Sequence, residues 1–197
     1  MADKRDGELQ QLKKEVRYLR DRQEILDCIS RYNSGLDRLD EELLAGTYHW
    51  DAIDNHGPFV GYVPEFVKFA IEIEGQFLNT HHGITSHRCD IDGDTAHAES
   101  YVFWIVSQPD GETLAAGGGR YIDRLERRNG EWRFTVRRLL MDWTFQVPKD
   151  SWLGVEWDAV KGSRDKNDPS YQRPLQLPPE LMQVLAGKEP PVKPEGD

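Results

Sequence analysis

The sequence predicts an α+β fold: a cone-shaped barrel in which a curved, mainly antiparallel sheet wraps over three N-terminal helices and encloses an apolar pocket. Three observations lead there. In the first third of the chain, apolar residues recur every three or four positions, the spacing of a helix face. From His82 to Gln146 the period falls to two, the spacing of a strand. The turn signals IDGD, QPDG and RRNG divide that stretch into long segments that pair as antiparallel hairpins.

Taken in order, Leu9, Leu12, Val16 and Leu19 are spaced 3-4-3 and Leu26 continues their register, while Ile25, Ile29 and Tyr32 form a second apolar face. Gly35 is the expected end of this helix, because glycine enters the left-handed turn of a C-cap freely. Residues 1–19 precede the core and read as a projecting helical extension, either packed on a partner subunit or solvated. A short second helix is expected over Asp40–Gly46, and DAIDNHGPFVG reads as a loop. A third helix runs from about Val63 to Phe77, with Phe66, Val67, Ala70, Ile71 and Ile73 on its buried side. Four strands follow: His82–Ile91, Thr95–Ser107, Thr113–Arg127 and Glu131–Gln146.

The compact domain is therefore residues 20–147. Residues 148–197 hold eight of the eleven prolines and too few apolar side chains to offset the entropy of ordering, so they read as an extended tail over this domain or a neighbour. Trp152, Leu153, Val155 and Trp157 are exceptions, and Pro179–Ala186 has the pattern of a short helix.

Composition excludes several functions. With 25 Lys plus Arg against 35 Asp plus Glu, the net charge of −10 argues against nucleic acid as a partner. No stretch approaches the ~20 apolar residues of a membrane span, and the N-terminus lacks the apolar core of a secretory signal. Two cysteines, Cys28 and Cys89, make neither a disulfide framework nor a metal cluster, so a reducing cytoplasm is expected. Asp51, Asp54 and His56 have only a weak metal-ligand spacing, and no metal or cofactor is expected. GGGR at 117–120 lies within a strand and reads as a bulge or close-packing site.

Strand alternation assigns faces. His82 shares one with Ile84 and Ser86; Glu99, Tyr101, Phe103 and Ile105 share another, opposite Ser100, Val102 and Trp104. In the last strand Arg137, Leu139, Met141 and Trp143 lie opposite Arg138, Leu140 and Asp142. Arg137 among apolar residues needs a ligand or a carboxylate such as Glu99, and Asp37 likewise needs a partner. Tyr48, Trp50, Phe59, Tyr101, Phe103, Tyr121, Met141 and Trp143 form the expected substrate-binding lining, suited to a flat apolar molecule.

Several of these motifs occur in a familiar order: Tyr-x4-Asp at Tyr32 and Asp37, DA…G…G, THH followed by IDGDTA, and GGRYIDRLERRNGEWRF. Over residues 15–145 the chain resembles the SnoaL-like branch of the nuclear transport factor two-like superfamily. That branch includes scytalone dehydratase, hexachlorocyclohexane dehydrochlorinase and bile-acid 7α-dehydratase. The resemblance implies a cone with a deep apolar pocket, a homo-dimer or homo-trimer, and an Asp–His dyad falling on Asp37 and His82. It also places Tyr32 and Arg137 in catalytic positions. The neighbouring His81 and Arg138 mean that a one-residue slip would exchange pocket and surface.

These residues suit proton abstraction without a cofactor. A neutral imidazole, with an ordinary pKa of about 6.5, is a competent base near neutral pH. A carboxylate on its other nitrogen fixes the tautomer and stabilises the imidazolium. His82 is then the base and Asp37 its partner; Tyr32 protonates a leaving hydroxyl or holds an oxygen, and Arg137 stabilises developing negative charge. Tyr32 and Asp37 would point about 140° apart on a continuous helix, so their convergence requires a break at Gly35. The expected activity is a lyase that removes water, or cleaves a carbon–carbon bond with loss of formaldehyde, from a hydrophobic aromatic or polycyclic substrate, lignin-derived aromatics included. The alternatives are a non-catalytic ligand-binding or assembly module and a ketosteroid-isomerase-like isomerase.

Overall fold

The computed structural model describes residues 2–148, 162–176 and 179. The expectations at Trp152–Trp157 and, beyond Pro179 itself, for a helix over Pro179–Ala186 lie outside the described residues. Helix α1, Ala2–Arg38, is one continuous element. Its side chains from residue 4 to 20 are exposed, and burial begins at Asp21. That carboxylate accepts bonds from Trp132 Nε1 at 3.0 Å and Arg127 Nη1 at 2.7 Å, fixing the point where the helix meets the body. Beyond it Ile25, Cys28, Ile29, Tyr32 and Leu36, which fall on one helix face, are all buried.

The helix does not end at Gly35. It runs to Arg38 and stops at Leu39, which takes the left-handed conformation at φ 52°. The backbone N–H of Asp40 closes the turn on the carbonyl of Gly35 at 2.9 Å. Glycine is needed at 35 for another reason: a Cβ there would lie 2.9 Å from the backbone nitrogen of Leu44 on α2, Glu41–Ala45. Asp40 caps α2 by accepting from the Leu43 N–H at 3.1 Å.

The segment read as a loop, Asp51–Gly61, instead forms most of two strands, β1 (Tyr48–His56) and β2 (Phe59–Tyr62). They escape a pattern search because β1 turns polar residues, Asp54 and His56, toward the interior. Helix α3, Val63–Glu74, follows with Pro64 in its first turn and Val63, Phe66, Val67 and Ala70 buried. Four long strands complete the chain: β3 (Asn79–Asp92), β4 (Thr95–Ser107), β5 (Thr113–Arg128) and β6 (Glu131–Pro148).

One six-stranded sheet results, in the order β2-β1-β6-β5-β4-β3. Only β1 with β6 is parallel. The α+β cone is as expected, except that the sheet is curved and not closed, and β1 and β2 precede the third helix. Helix α1 packs on β3 and β6, and α3 on β1 and β2. The core between them is not wholly apolar, since Asp54, Asp123 and Arg137 are buried in it.

Of the register shifts in the sheet, two reset the faces of residues singled out in the sequence. One leaves Thr85 unpaired in β3, so that Ile84 opposes Val102 and Ser86 opposes Tyr101. His82 and Ile84 therefore face inward with Val102, whereas Ser86 faces outward. The other leaves Asp142 unpaired in β6, where Gly119 opposes Met141 and Gly118 opposes Trp143. The three glycines at 117–119 serve that bulge and close ring packing: Cβ atoms at 117 and 118 would meet the rings of Trp104 and Trp143 at 2.5 and 2.4 Å. Among the described residues no helix is long and apolar enough to cross a membrane.

Candidate active site

Asp37 lies in the last turn of α1, and the unbroken helix points it at β3. There Thr80 and His82, two apart, share the inner face. The Asp37 carboxylate takes three donors. Oδ1 accepts from Thr80 Oγ1 at 3.1 Å and lies 2.7 Å from His82 Nδ1; Oδ2 accepts the backbone N–H of His82 at 3.0 Å. A carboxylate can only accept, so the imidazole proton belongs on Nδ1 and the lone pair on Nε2. Nε2 faces Glu74 Oε1 at 4.0 Å. Glu74 closes α3, and its second oxygen, Oε2, is buried with no hydrogen-bond partner among the described residues. Burial pushes the Glu74 carboxyl above its ordinary value, against the opposing pull of His82 and Arg164.

The deeper interior is organised by Arg137. It is fully buried, and its Nε and Nη2 donate to Asp123 Oδ1 and Oδ2, each at 2.8 Å. Its guanidinium carbon lies 4.0 Å from the ring centroids of Tyr121 and Phe134 and 4.1 Å from that of Tyr32. Nη1 is buried without a partner among the described residues, as is the Tyr32 hydroxyl. Burial pushes the Tyr32 phenol well above its ordinary value. It likewise raises the Asp123 carboxyl, with Arg137 pulling the other way. Alongside, Tyr48 donates to Asp54 Oδ2 at 2.6 Å, and the other oxygen of Asp54 lies 3.4 Å from His56 Nδ1.

Of the expected residues, the structure brings Asp37 and His82 into contact and turns His82 rather than His81, and Arg137 rather than Arg138, inward. Tyr32 and Asp37 do not converge, because the helix between them is unbroken; Tyr32 lies against Arg137 while Asp37 reaches β3. The carboxylate that pairs with Arg137 is Asp123. Glu99 instead bonds Arg88 at 3.2 Å and Arg120 at 3.1 Å on the outer face. Tyr48 and Tyr121 are interior, Phe59 packs against Phe66 and Phe69, and Met141 is on the inner face at the open end.

Four lining assignments are corrected. Trp50 is 84% exposed on β1. Tyr101 and Phe103 are on the outer face of β4, since their parity neighbours Ser100 and Val102 are the buried ones. Trp143 is turned outward by the bulge at Asp142 and stacks on Phe145 at 5.6 Å. Residues that the sequence did not single out are Thr80, Glu74 and Asp123, while Asp54 and His56 entered only as a weak metal-ligand spacing. A signal existed for Glu74, which continues the four-residue spacing of buried Phe66 and Ala70. In the weak metal spacing, Asp51 is bound to Arg128 Nη1 at 2.7 Å, apart from Asp54 and His56. Among the described residues no group of three or more His, Cys, Asp or Glu is placed to hold a metal ion.

An open, curved sheet over helices, with a carboxylate-held imidazole on its concave side, defines a cone of the nuclear transport factor two-like, or cystatin-like, class. Residues 17–138 match the SnoaL-like domain, and the chain belongs to that family. Similar solved structures include a scytalone dehydratase candidate from Novosphingobium aromaticivorans, 24% identical with a TM-score of 0.61, covering 65% of this chain and 88% of that one. The hexachlorocyclohexane dehydrochlorinase LinA-type3 from Novosphingobium barchaimii is 21% identical, with a TM-score of 0.62 and coverage of 74% and 99%. Rv3472 from Mycobacterium tuberculosis, of unknown function, is 25% identical, with a TM-score of 0.59 and coverage of 64% and 75%. No curated protein sequence matches the chain.

Proposed function

We propose that this chain is a cofactor-independent lyase acting on a small hydrophobic, aromatic or polycyclic substrate, with His82 as the base. The observation that carries this reading is the Asp37–His82 contact of 2.7 Å at Nδ1, which leaves Nε2 as the basic nitrogen. The dehydrochlorinase and the scytalone dehydratase candidate among the similar structures support an elimination. Nε2 takes a proton from the carbon next to the leaving group, and Asp37 stabilises the resulting imidazolium. Tyr32 is too deeply buried, and its phenol too far raised, to be the preferred acid. Glu74 is the better donor: its carboxyl is raised by burial and stands beside the base. It gives its proton to the departing hydroxyl, so that water leaves and a double bond forms. Nε2 and Glu74 Oε1 are 4.0 Å apart, too far for direct transfer, so a water such as the one just released takes the proton from the imidazolium and passes one to Glu74, restoring both groups.

Arg137 and Tyr32 lie against each other in the interior, the guanidinium carbon 4.1 Å from the ring centroid. With Nε and Nη2 bound to Asp123, Nη1 is the Arg137 nitrogen without a partner among the described residues and is the one to meet a substrate oxygen. The test is turnover of a panel of β-hydroxy aromatic and polycyclic compounds, followed by mass spectrometry. Loss of eighteen mass units marks dehydration, loss of thirty marks release of formaldehyde, and conserved mass would mean an isomerase. A folded His82→Ala variant with near-normal turnover would overturn the assignment.

A further inference from the structure

Arg164 lies outside the matched domain, on the Pro-rich segment that follows it. Its guanidinium nevertheless reaches the ends of three elements around the candidate site. Nε donates to the carbonyl of Asp37 at 3.1 Å, Nη1 to the carbonyls of Glu74 and Phe77 at 2.8 Å each, and Nη2 to Thr80 Oγ1 at 3.1 Å. The carbonyls of Asp37 and Glu74 belong to the last turns of α1 and α3, which have no acceptor-satisfying partner within their own helices. One planar fork thus ties both helix ends to β3.

The bond to Thr80 has a chemical consequence. A threonine hydroxyl has a single hydrogen, and it accepts through its lone pairs. With Arg164 occupying a lone pair, the hydrogen is directed to the other neighbour, Oδ1 of Asp37. That oxygen is the one facing Nδ1 of His82. The chain of bonds Arg164–Thr80–Asp37–His82 therefore runs from the tail to the base. The segment carrying Arg164 is itself fastened on the same side. Asp168 accepts the backbone N–H groups of Ser163 at 2.8 Å and Ser170 at 2.9 Å, and pairs with Arg38 at 3.3 Å. Tyr171 donates to Asp40 Oδ2 at 2.6 Å, and Lys166 binds the same oxygen.

We propose that Arg164 is a positioning residue of the site, holding the Asp37 carboxylate, and through it the Nδ1-protonated form of His82, in place. The catalytic part of this proposal rests on the reading of His82 as the base. Lysine is no substitute, because a single ammonium cannot span four acceptors on three elements.

The experiment compares the full chain with Arg164→Gln and Arg164→Lys by 15N NMR of the His82 ring, alongside kcat and KM. The groups facing that ring are Asp37 from α1 and Glu74 from α3; Arg164 from the tail segment reaches the Asp37 carboxylate through Thr80. The wild-type ring is expected to carry its proton on Nδ1. In folded Arg164→Gln the population shifts toward Nε2–H, and kcat falls about ten- to a hundredfold with KM within about twofold. Arg164→Lys restores neither. Thr80→Val, which leaves the carbonyl bonds of Arg164 intact, gives the same tautomer shift and serves if the glutamine variant does not fold. An unchanged tautomer in folded Arg164→Gln or Thr80→Val overturns the proposal, whatever the turnover. A shifted tautomer in a wild-type background that converts no substrate upholds the positioning role and removes the lyase reading instead.

Discussion

One carboxylate holds both the ring and the backbone of His82: Asp37 lies 2.7 Å from Nδ1 through Oδ1 and 3.0 Å from the backbone nitrogen through Oδ2. The imidazole is thus clamped against rotation as well as held in one tautomer. A histidine bonded only through its ring could turn about χ1 and carry its partner along; this one cannot do so without losing the bond between its own backbone and Asp37.

Asp37→Asn tests that clamp. The amide keeps the size of the carboxylate but replaces one acceptor by a donor, which must face either the backbone N–H or Nδ1. The backbone cannot give up its hydrogen, so the imidazole does, moving its proton to Nε2 and losing its basic nitrogen. Turnover is expected to drop about 10³–10⁴-fold, the size of the same exchange in a hydrolase triad, with the circular dichroism spectrum unchanged. A loss of less than tenfold in a folded variant would remove Asp37 from the mechanism.

Glu74 supplies a pH dependence. Burial raises its folded-state pKa above the unfolded value. Its contribution to stability is therefore fully present below the unfolded pKa and is lost as pH rises through the folded one. Glu74→Gln has no proton to lose. The melting temperature of the variant relative to wild type should climb from pH 4 to pH 8, while kcat falls about 10²–10⁴-fold because an amide cannot act as the acid. A melting-temperature difference that is flat across this range would mean that Glu74 feels no such burial.

Strands β4, β5 and β6 are legible in the sequence because their buried faces alternate with charged ones, and hairpin turns set their ends to within a residue or two. Strand β1 is not. Its inward positions carry Asp54 and His56 where a pattern search expects apolar side chains. The same physics blurs the site. A bulge adds one residue and changes no composition, so parity from Arg137 carries Trp143 to the wrong face across Asp142, and parity from His82 does the same for Ser86. The dyad is visible because its two members sit in a recognisable order of motifs. Glu74 continues the four-residue spacing of Phe66 and Ala70 but belongs to no such motif, and Arg164 lies outside the strands and helices, where no period applies. Gly35 misleads for a related reason: a glycine near a helix end looks like a cap, while its use here is the approach of Leu44.

The pair of Arg137 and Asp123 predicts non-additive stability. Both are buried, and removing either leaves the other charge unpartnered. Arg137→Met and Asp123→Leu alone should each cost about 3–5 kcal/mol, whereas the double variant should lie closer to wild type than either. Urea denaturation of the four proteins measures this. Additive losses would show that the surrounding rings of Tyr32, Tyr121 and Phe134, and not the ion pair, set the stability there.

Two glycines in α1 give opposite signs for one substitution. Gly7 is in the exposed part of the helix, and a Cβ added there would have nothing within 4 Å, so Gly7→Ala gains helix propensity alone, about 0.5–1 kcal/mol. Gly35 has the same intrinsic preference for alanine, but its Cβ would fall 2.9 Å from Leu44 N and 3.0 Å from both Leu44 Cα and Cβ. The first two are backbone atoms of α2, so relief means moving that helix or bending α1, and Asp37 is two residues further along. Overpacking of this kind costs about 1–3 kcal/mol, more than propensity returns. Gly35→Ala should therefore lower the melting temperature and, by tilting the end of α1, reduce kcat as well; Gly7→Ala should raise helicity by circular dichroism and leave kcat alone. Equal and favourable effects at both positions would mean that α2 is free to yield, and that the end of α1 is not held where the contact with His82 requires it.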